Sequence, residues 1–177
     1  LLHLRFDRDG GVRPVRVPLA RERLAELQAH LMLFYTGIRR DAHEVVEEQL
    51  ERTRQGELTG KLSQLGALVD EGLRVLTGDG PIVRFGELLD EGWRIKRELS
   101  RTISSPEIDG YYARALEGGA AGGKLLGAGG GGFLLVFAEP SRQRGVEATL
   151  QMLPRVMFAF DERGTCLLTR DRDEGLD

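Results

Sequence analysis

Nine of the fifteen residues from 118 to 132 are glycine, and a single lysine, Lys124, sits among them. Glycine lacks a Cβ, so its backbone N–H groups can come close to an anion or to another backbone. A lysine beside such amides adds a compact positive charge suited to a phosphate oxygen. Two known phosphate fingerprints occur in this stretch. Gly118 through Lys124 matches glycine, four residues, glycine, lysine, but Leu125 stands where a Ser or Thr hydroxyl must meet magnesium. Gly127, Gly129 and Gly132 match the dinucleotide spacing, which needs a strand before it and a helix after it. Here a helix precedes the cluster, and the apolar run 133–138 follows it as a strand. Neither motif applies. Gly127, Ala128, Gly129, Gly130, Gly131 and Gly132 remain as an anion-facing loop in their own right. The alternative is a tight helix-to-strand connection packed under a neighbouring layer.

Lys96 is the other side chain that the pattern singles out. At 100° per residue it falls inside the apolar arc formed by Phe85, Leu89, Gly92, Ile95 and Leu99. An ammonium there must snorkel, pair with a carboxylate or meet an anionic ligand. Only three of the 25 basic residues are Lys, which sets Lys96 and Lys124 apart from a background of Arg. For Lys124 the alternative is a surface lysine at a helix end, bonding terminal carbonyls. Arg39 and Arg40 follow an apolar strand and either reach a cleft or open a helix as ordinary surface charges. Ser104 and Asp109 flank the Ser105-Pro106 helix start, where capping alone explains Ser104 or Ser105. His43 and Glu47 stand one helical turn apart, but no third ligand accompanies them, so a solvated face is favoured over a metal.

The elements that would hold these residues follow from periodicity. Leu2, Leu4 and Phe6 alternate with polar residues, Asp9-Gly10-Gly11 is a hairpin turn, and 12–17 returns as an edge strand carrying Pro14. Residues 21–30 form a short helix, and the continuous apolar run 31–36 is a strand covered on both faces. Four helices come next: 41–55 with Asp41 as N-cap, a stripe of Leu62, Leu65, Val69 and Leu76, the Lys96 helix, and one starting at Ser105-Pro106. The glycine cluster ends the fourth. A strand at 133–138, a helix at 141–153 and strands at 156–160 and 165–169 complete the order. The layout is α+β, with helices covering one face of a mainly antiparallel sheet. No repeat or linker divides residues 1–177, which read as one domain.

Composition narrows the function classes. A net charge of −3 gives no electrostatic reason to bind nucleic acid or an anionic membrane. The apolar runs 31–35 and 133–138 are far too short to span a bilayer. A lone Cys166 excludes an internal disulfide framework and a cysteine metal cluster, so a reducing, cytoplasmic setting is expected. The chain opens on Leu1, without Met or leader, directly in strand-like sequence. It reads as part of something longer.

The stretch GGKLLGAGGGGFLLVF resembles the third motif of the GHMP kinases, the family of galactokinase, homoserine kinase, mevalonate kinase and phosphomevalonate kinase. It is most similar to the heptose 7-phosphate kinase branch. LMLFYTGIRRDAHEVVEEQ at 31–49, FGELLDEGWRIKRELS at 85–100 and ISSPEID at 103–109 extend the likeness over about half the chain. The resemblance implies a two-lobed enzyme that moves the γ-phosphoryl of ATP, with Mg2+, to a small-molecule hydroxyl on a sugar or sugar phosphate. It implies a ferredoxin-like C-terminal lobe whose loop 127–132, with Lys124, backs the nucleotide phosphate loop. Lys96, Arg40 and Ser104 become substrate-side candidates. The family's Gly-Leu-Gly-Ser-Ser-Ala loop and its catalytic Asp are not matched here, so this chain is expected to be inactive alone, to bind no cofactor tightly and to partner its own N-terminal kinase lobe. An exposed apolar lobe interface through which it could homodimerise is also expected. The rival is a free-standing ferredoxin-like module that binds a small anionic metabolite without turnover.

Overall fold

A computed structural model describes residues 1–40 and 42–161, the side chains of 42–45 excepted. The expected Asp41 cap, the side chain of His43, the strand at 165–169 and Cys166 lie outside the described residues.

Strands β1 (Leu2–Phe6) and β2 (Val12–Arg16) form the expected hairpin, with Phe6 opposite Val12. Its turn is closed by Asp7 N–H donating to the Gly11 carbonyl, with Gly10 at φ +87°. Helix α1 (Arg21–His30) runs directly into β3 (Leu31–Tyr35). Then come α2 (Ala42–Arg54), α3 (Thr59–Thr77), α4 (Val83–Arg97) and α5 (Pro106–Glu117). Helix α5 starts as its sequence requires: Pro106 occupies the first turn, and Ser105 Oγ accepts from Ile108 N–H at 3.3 Å. Ser105, not Ser104, is therefore the cap.

Strand β4 (Gly122–Leu125) lies inside the glycine cluster, where sequence alone suggested an irregular exit from a helix. It is followed by β5 (Phe133–Phe137), α6 (Gln143–Thr149) and β6 (Arg155–Val156). Glycine has weak strand propensity, and here a tertiary contact overrides it. Helix α4 lies so close to β4 that a Cβ on Gly122 would collide with the carbonyl oxygen of Gly86, and one on Gly86 with the ring of Phe137. Only glycine permits this approach. Beyond β6 the alternating Phe158 and Phe160 are not strand: Gln28 holds them instead, donating to the Phe158 carbonyl and accepting from Phe160 N–H.

The four-stranded sheet has order β4-β5-β3-β6 with all neighbours antiparallel. A strand, helices, two strands, a helix and a last strand along the chain, with the strands in this spatial order, are the ferredoxin-like arrangement. Its two faces carry separate cores. Met32, Phe34, Leu125, Leu134 and Val136 point one way and pack with Trp93, Ile108, Tyr112, Val146 and Leu150. Leu31, Leu135 and Phe137 point the other way and meet Leu27, Leu76, Ile82 and Phe85. Helices thus cover both faces, not one. The all-apolar sequence of β5 already demanded that.

Candidate functional site

The six residues 127–132 span β4 and β5 at the end of a stem closed by Leu126 N–H donating to the Phe133 carbonyl at 2.8 Å. Four of them, Gly127, Gly129, Gly130 and Gly132, have φ between +75° and +124°. Such angles are costly for any residue with a Cβ. Two backbone segments grip the loop. On one side Gly130 N–H donates to the Ile103 carbonyl at 2.9 Å, and a Cβ on Gly129 would sit 2.8 Å from that same oxygen. On the other, Gly132 N–H donates to the Ile38 carbonyl at 3.0 Å, and the buried Thr36 returns both its N–H and its hydroxyl to the Gly132 carbonyl. Ala128 packs its methyl against the main core. Among the described residues, the amides of Gly127, Ala128, Gly129 and Gly131 have no protein acceptor.

Sequence reasoning missed the seat. Thr36, Ile38, Thr102 and Ile103 hold the loop, and three of the four act through their backbone, where residue type leaves no trace. A second tie supports this seat: Ser100, itself buried, donates its hydroxyl to Glu48 of α2 at 2.6 Å. That hydrogen bond holds the Glu48 carboxyl below its ordinary range.

Lys96 and Lys124 converge beside the loop. Lys124 is on β4, opposite Leu135 in the register, so it points away from the main core. Lys96 leaves α4 and donates from Nζ to the Gly127 carbonyl at 2.7 Å. Both line a cleft of about 700 Å³ walled by α3, α4 and the hairpin, including Leu65, Val69, Phe85 and Trp93. Burial lowers the Lys96 pKa to about 8, and repulsion from Lys124 adds to the shift. Burial also depresses Lys124. Among the described residues neither lysine has a carboxylate in an ion pair, whereas Lys61 pairs with Glu98. Two partly desolvated cations side by side have the chemistry to receive an anion.

Arg40 lies against the loop, and Ser104 stands apart from it. The Arg40 stem packs against Gly130, its Cδ 3.2 Å from where a Cβ would be. Ser104 donates to Asp109 at 2.7 Å, and Asp109 also pairs with Arg97. These groups line a separate polar hollow with Arg94 and Arg101. Lys96, Lys124 and the glycine loop form one cluster; Ser104 is outside it.

Residues 73–152 match the family model described as GHMP kinases C terminal. Over that stretch the chain is similar to the C-terminal domain of the GHMP kinases. D-glycero-alpha-D-manno-heptose 7-phosphate kinase from Campylobacter jejuni is 28% identical over 146 residues, covering 79% of this chain and 42% of that protein. Galactokinase from Thermococcus kodakarensis is 31% identical over 134 residues, covering 62% and 38%. Among solved structures, L. major mevalonate kinase in complex with R-mevalonate matches with a TM-score of 0.68 at 18% identity, covering 87% of this chain and 47% of its own. That match shows the fold. The chain spans less than half the length of these GHMP kinases. No helix among the described residues is long and apolar enough to cross a membrane.

Proposed function

We propose that this chain is the C-terminal lobe of an ATP-dependent kinase that transfers the γ-phosphoryl group to a hydroxyl of a small sugar or sugar phosphate. The seated glycine loop carries this reading. Four of its amides, those of Gly127, Ala128, Gly129 and Gly131, have no protein acceptor among the described residues, and the positioning of such donors is most of what phosphoryl transfer asks of a protein. The donor set suits a phosphate chain: the backbone N–H groups of Gly127, Ala128, Gly129 and Gly131, with Lys96 and Lys124 beside the loop. It does not suit a magnesium ion, since no group of three or more His, Cys, Asp or Glu is arranged for one among the described residues. The nucleotide would bring that ion with it. ATP supplies the phosphoryl group; this lobe supplies fixed donors.

The surface supports a docked second lobe. Leu2, Leu4 and Phe6 share one face of the hairpin with Val12, and Phe6 is 74% exposed. A lone two-stranded hairpin with an apolar face is marginal in water and is stabilised when another element covers it. We assign this face and the adjoining cleft to the N-terminal kinase lobe.

The test is ADP release by the two-lobed enzyme across neutral hexoses, heptoses and their phosphates, with the present chain assayed alongside. The expected result is acceptor-dependent ADP release from the two-lobed enzyme and none from this chain. Tight, stoichiometric ATP binding by the chain alone would overturn the division of labour. Binding of a small anionic metabolite, with no turnover of any hydroxyl acceptor, would favour a free-standing binding module instead.

A further inference from the structure

The two limbs of the glycine loop are held differently. Residues 129–132 are fixed by backbone contacts to Ile38, Thr36 and Ile103. At Gly127 the only hydrogen bond among the described residues comes from a side chain, Lys96 Nζ to the carbonyl oxygen. Gly127 is also exposed, with φ +75° and open space around its Cβ position, so nothing packs it in place.

A peptide group is planar, and in a trans peptide the C=O and the following N–H point in opposite directions. The described chain holds no cis peptide bonds. Fixing the Gly127 carbonyl toward Lys96 therefore fixes Ala128 N–H toward the opposite side. That amide is one of those without a protein acceptor.

We propose that Lys96 is a positioning residue for the glycine loop: it sets the Gly127–Ala128 peptide plane and so aims Ala128 N–H at the anion site. It does this through Gly127, not by touching the reacting groups. The contact is charge-assisted, and it weakens when the ammonium loses its proton. Among the described residues, the titratable side chains facing the cleft from neighbouring elements are Lys124 on β4 and His3 on β1. Neither supplies a negative charge that would retain the proton. A titration of Lys96 is thus transmitted into the loop. The anion in question rests on the phosphate reading above; the latch itself does not.

The experiment is NMR of the 177-residue chain, following the amide resonances of Ala128 and Gly132 from pH 6 to 10 in wild type, Lys96→Arg and Lys96→Met. In wild type, Ala128 should titrate with an inflection at the Lys96 pKa, while Gly132, held by Ile38, stays still. Lys96→Arg should keep the neutral-pH position of Ala128 and lose the inflection. Lys96→Met should move Ala128 and weaken pyrophosphate-induced shifts there at least fivefold. An inflection that survives in Lys96→Arg would overturn the proposal, as would an unmoved Ala128 in Lys96→Met. If Ala128 titrates as expected but pyrophosphate shifts nothing in wild type, the latch is upheld and the phosphate reading fails.

Discussion

Gly131 and Ile38 are in such close contact that a Cβ on Gly131 would overlap the carbonyl oxygen of Ile38. That oxygen already accepts from Gly132 N–H, so it cannot withdraw without losing a hydrogen bond. Gly131→Ala should therefore cost about 2–4 kcal/mol, the range for forced overpacking plus a lost buried bond. Gly127→Ala meets open space and should cost only about 1–2 kcal/mol, for its left-handed backbone. Urea denaturation of both variants checks the order. Equal costs would mean that the loop is not seated on residues 36–40.

The approach of α4 to β4 makes a separate forecast. Gly122→Ala must displace the Gly86 carbonyl, and Gly86→Ala must displace the Phe137 ring and Ala121. Phe137 is fully buried. Each substitution should cost about 3 kcal/mol or more, or prevent folding. Gly110→Ala, in open space on α5, should instead gain a few tenths from helix propensity. Thermal melts followed by circular dichroism distinguish these outcomes.

Lys96 should trade stability for loop geometry. Its folded pKa, about 8, lies below the ordinary lysine value of 10.5, so the unfolded chain binds more protons between those two values. Stability therefore rises with pH across that window as the ammonium loses its charge. At pH 7 the charge is a burden, and Lys96→Met should stabilise the chain by about 1 kcal/mol, well under the full shift because the side chain is only half-buried. The gain should vanish above pH 10. A variant less stable than wild type at pH 7 would contradict the burial assigned to this lysine.

Ser100 and Glu48 predict the acid limb. A carboxyl held below its ordinary range contributes stability that is present above the unfolded value of 4.5 and lost as pH falls through the lower folded value. Ser100→Ala removes the largest cause, raises the Glu48 pKa and moves the acid-unfolding midpoint upward. The loss at pH 7 is at most about 1 kcal/mol, since the carboxylate is solvated. The segment 100–104 also seats Gly129 and Gly130, so the amide of Gly130 should exchange with solvent faster in Ser100→Ala. Unchanged exchange would separate the Glu48 tie from the loop.

Helix stripes, the Asp9-Gly10-Gly11 turn, the Ser105-Pro106 start and the apolar strands 31–35 and 133–137 were all determined by local patterns in the sequence. So was the presence of an unusual glycine loop with a lysine nearby. These are properties of spacing and residue type, and the chain carries them wherever it goes. The tertiary structure decided how the glycines divide. Gly122 and Gly123 form a strand because α4 needs the space of a missing Cβ, whereas Gly127–Gly132 form a loop gripped by the carbonyls of Ile38 and Ile103. A missing Cβ is written in the sequence, but the atom that fills its place comes from a distant segment. The same holds for Lys96: its place on an apolar stripe is legible, while its partner, the carbonyl of Gly127, is 31 positions away and has no side chain to announce it. These glycines therefore form not one device but two, a packing surface for α4 and a seated loop, joined by Lys124, Leu125 and Leu126.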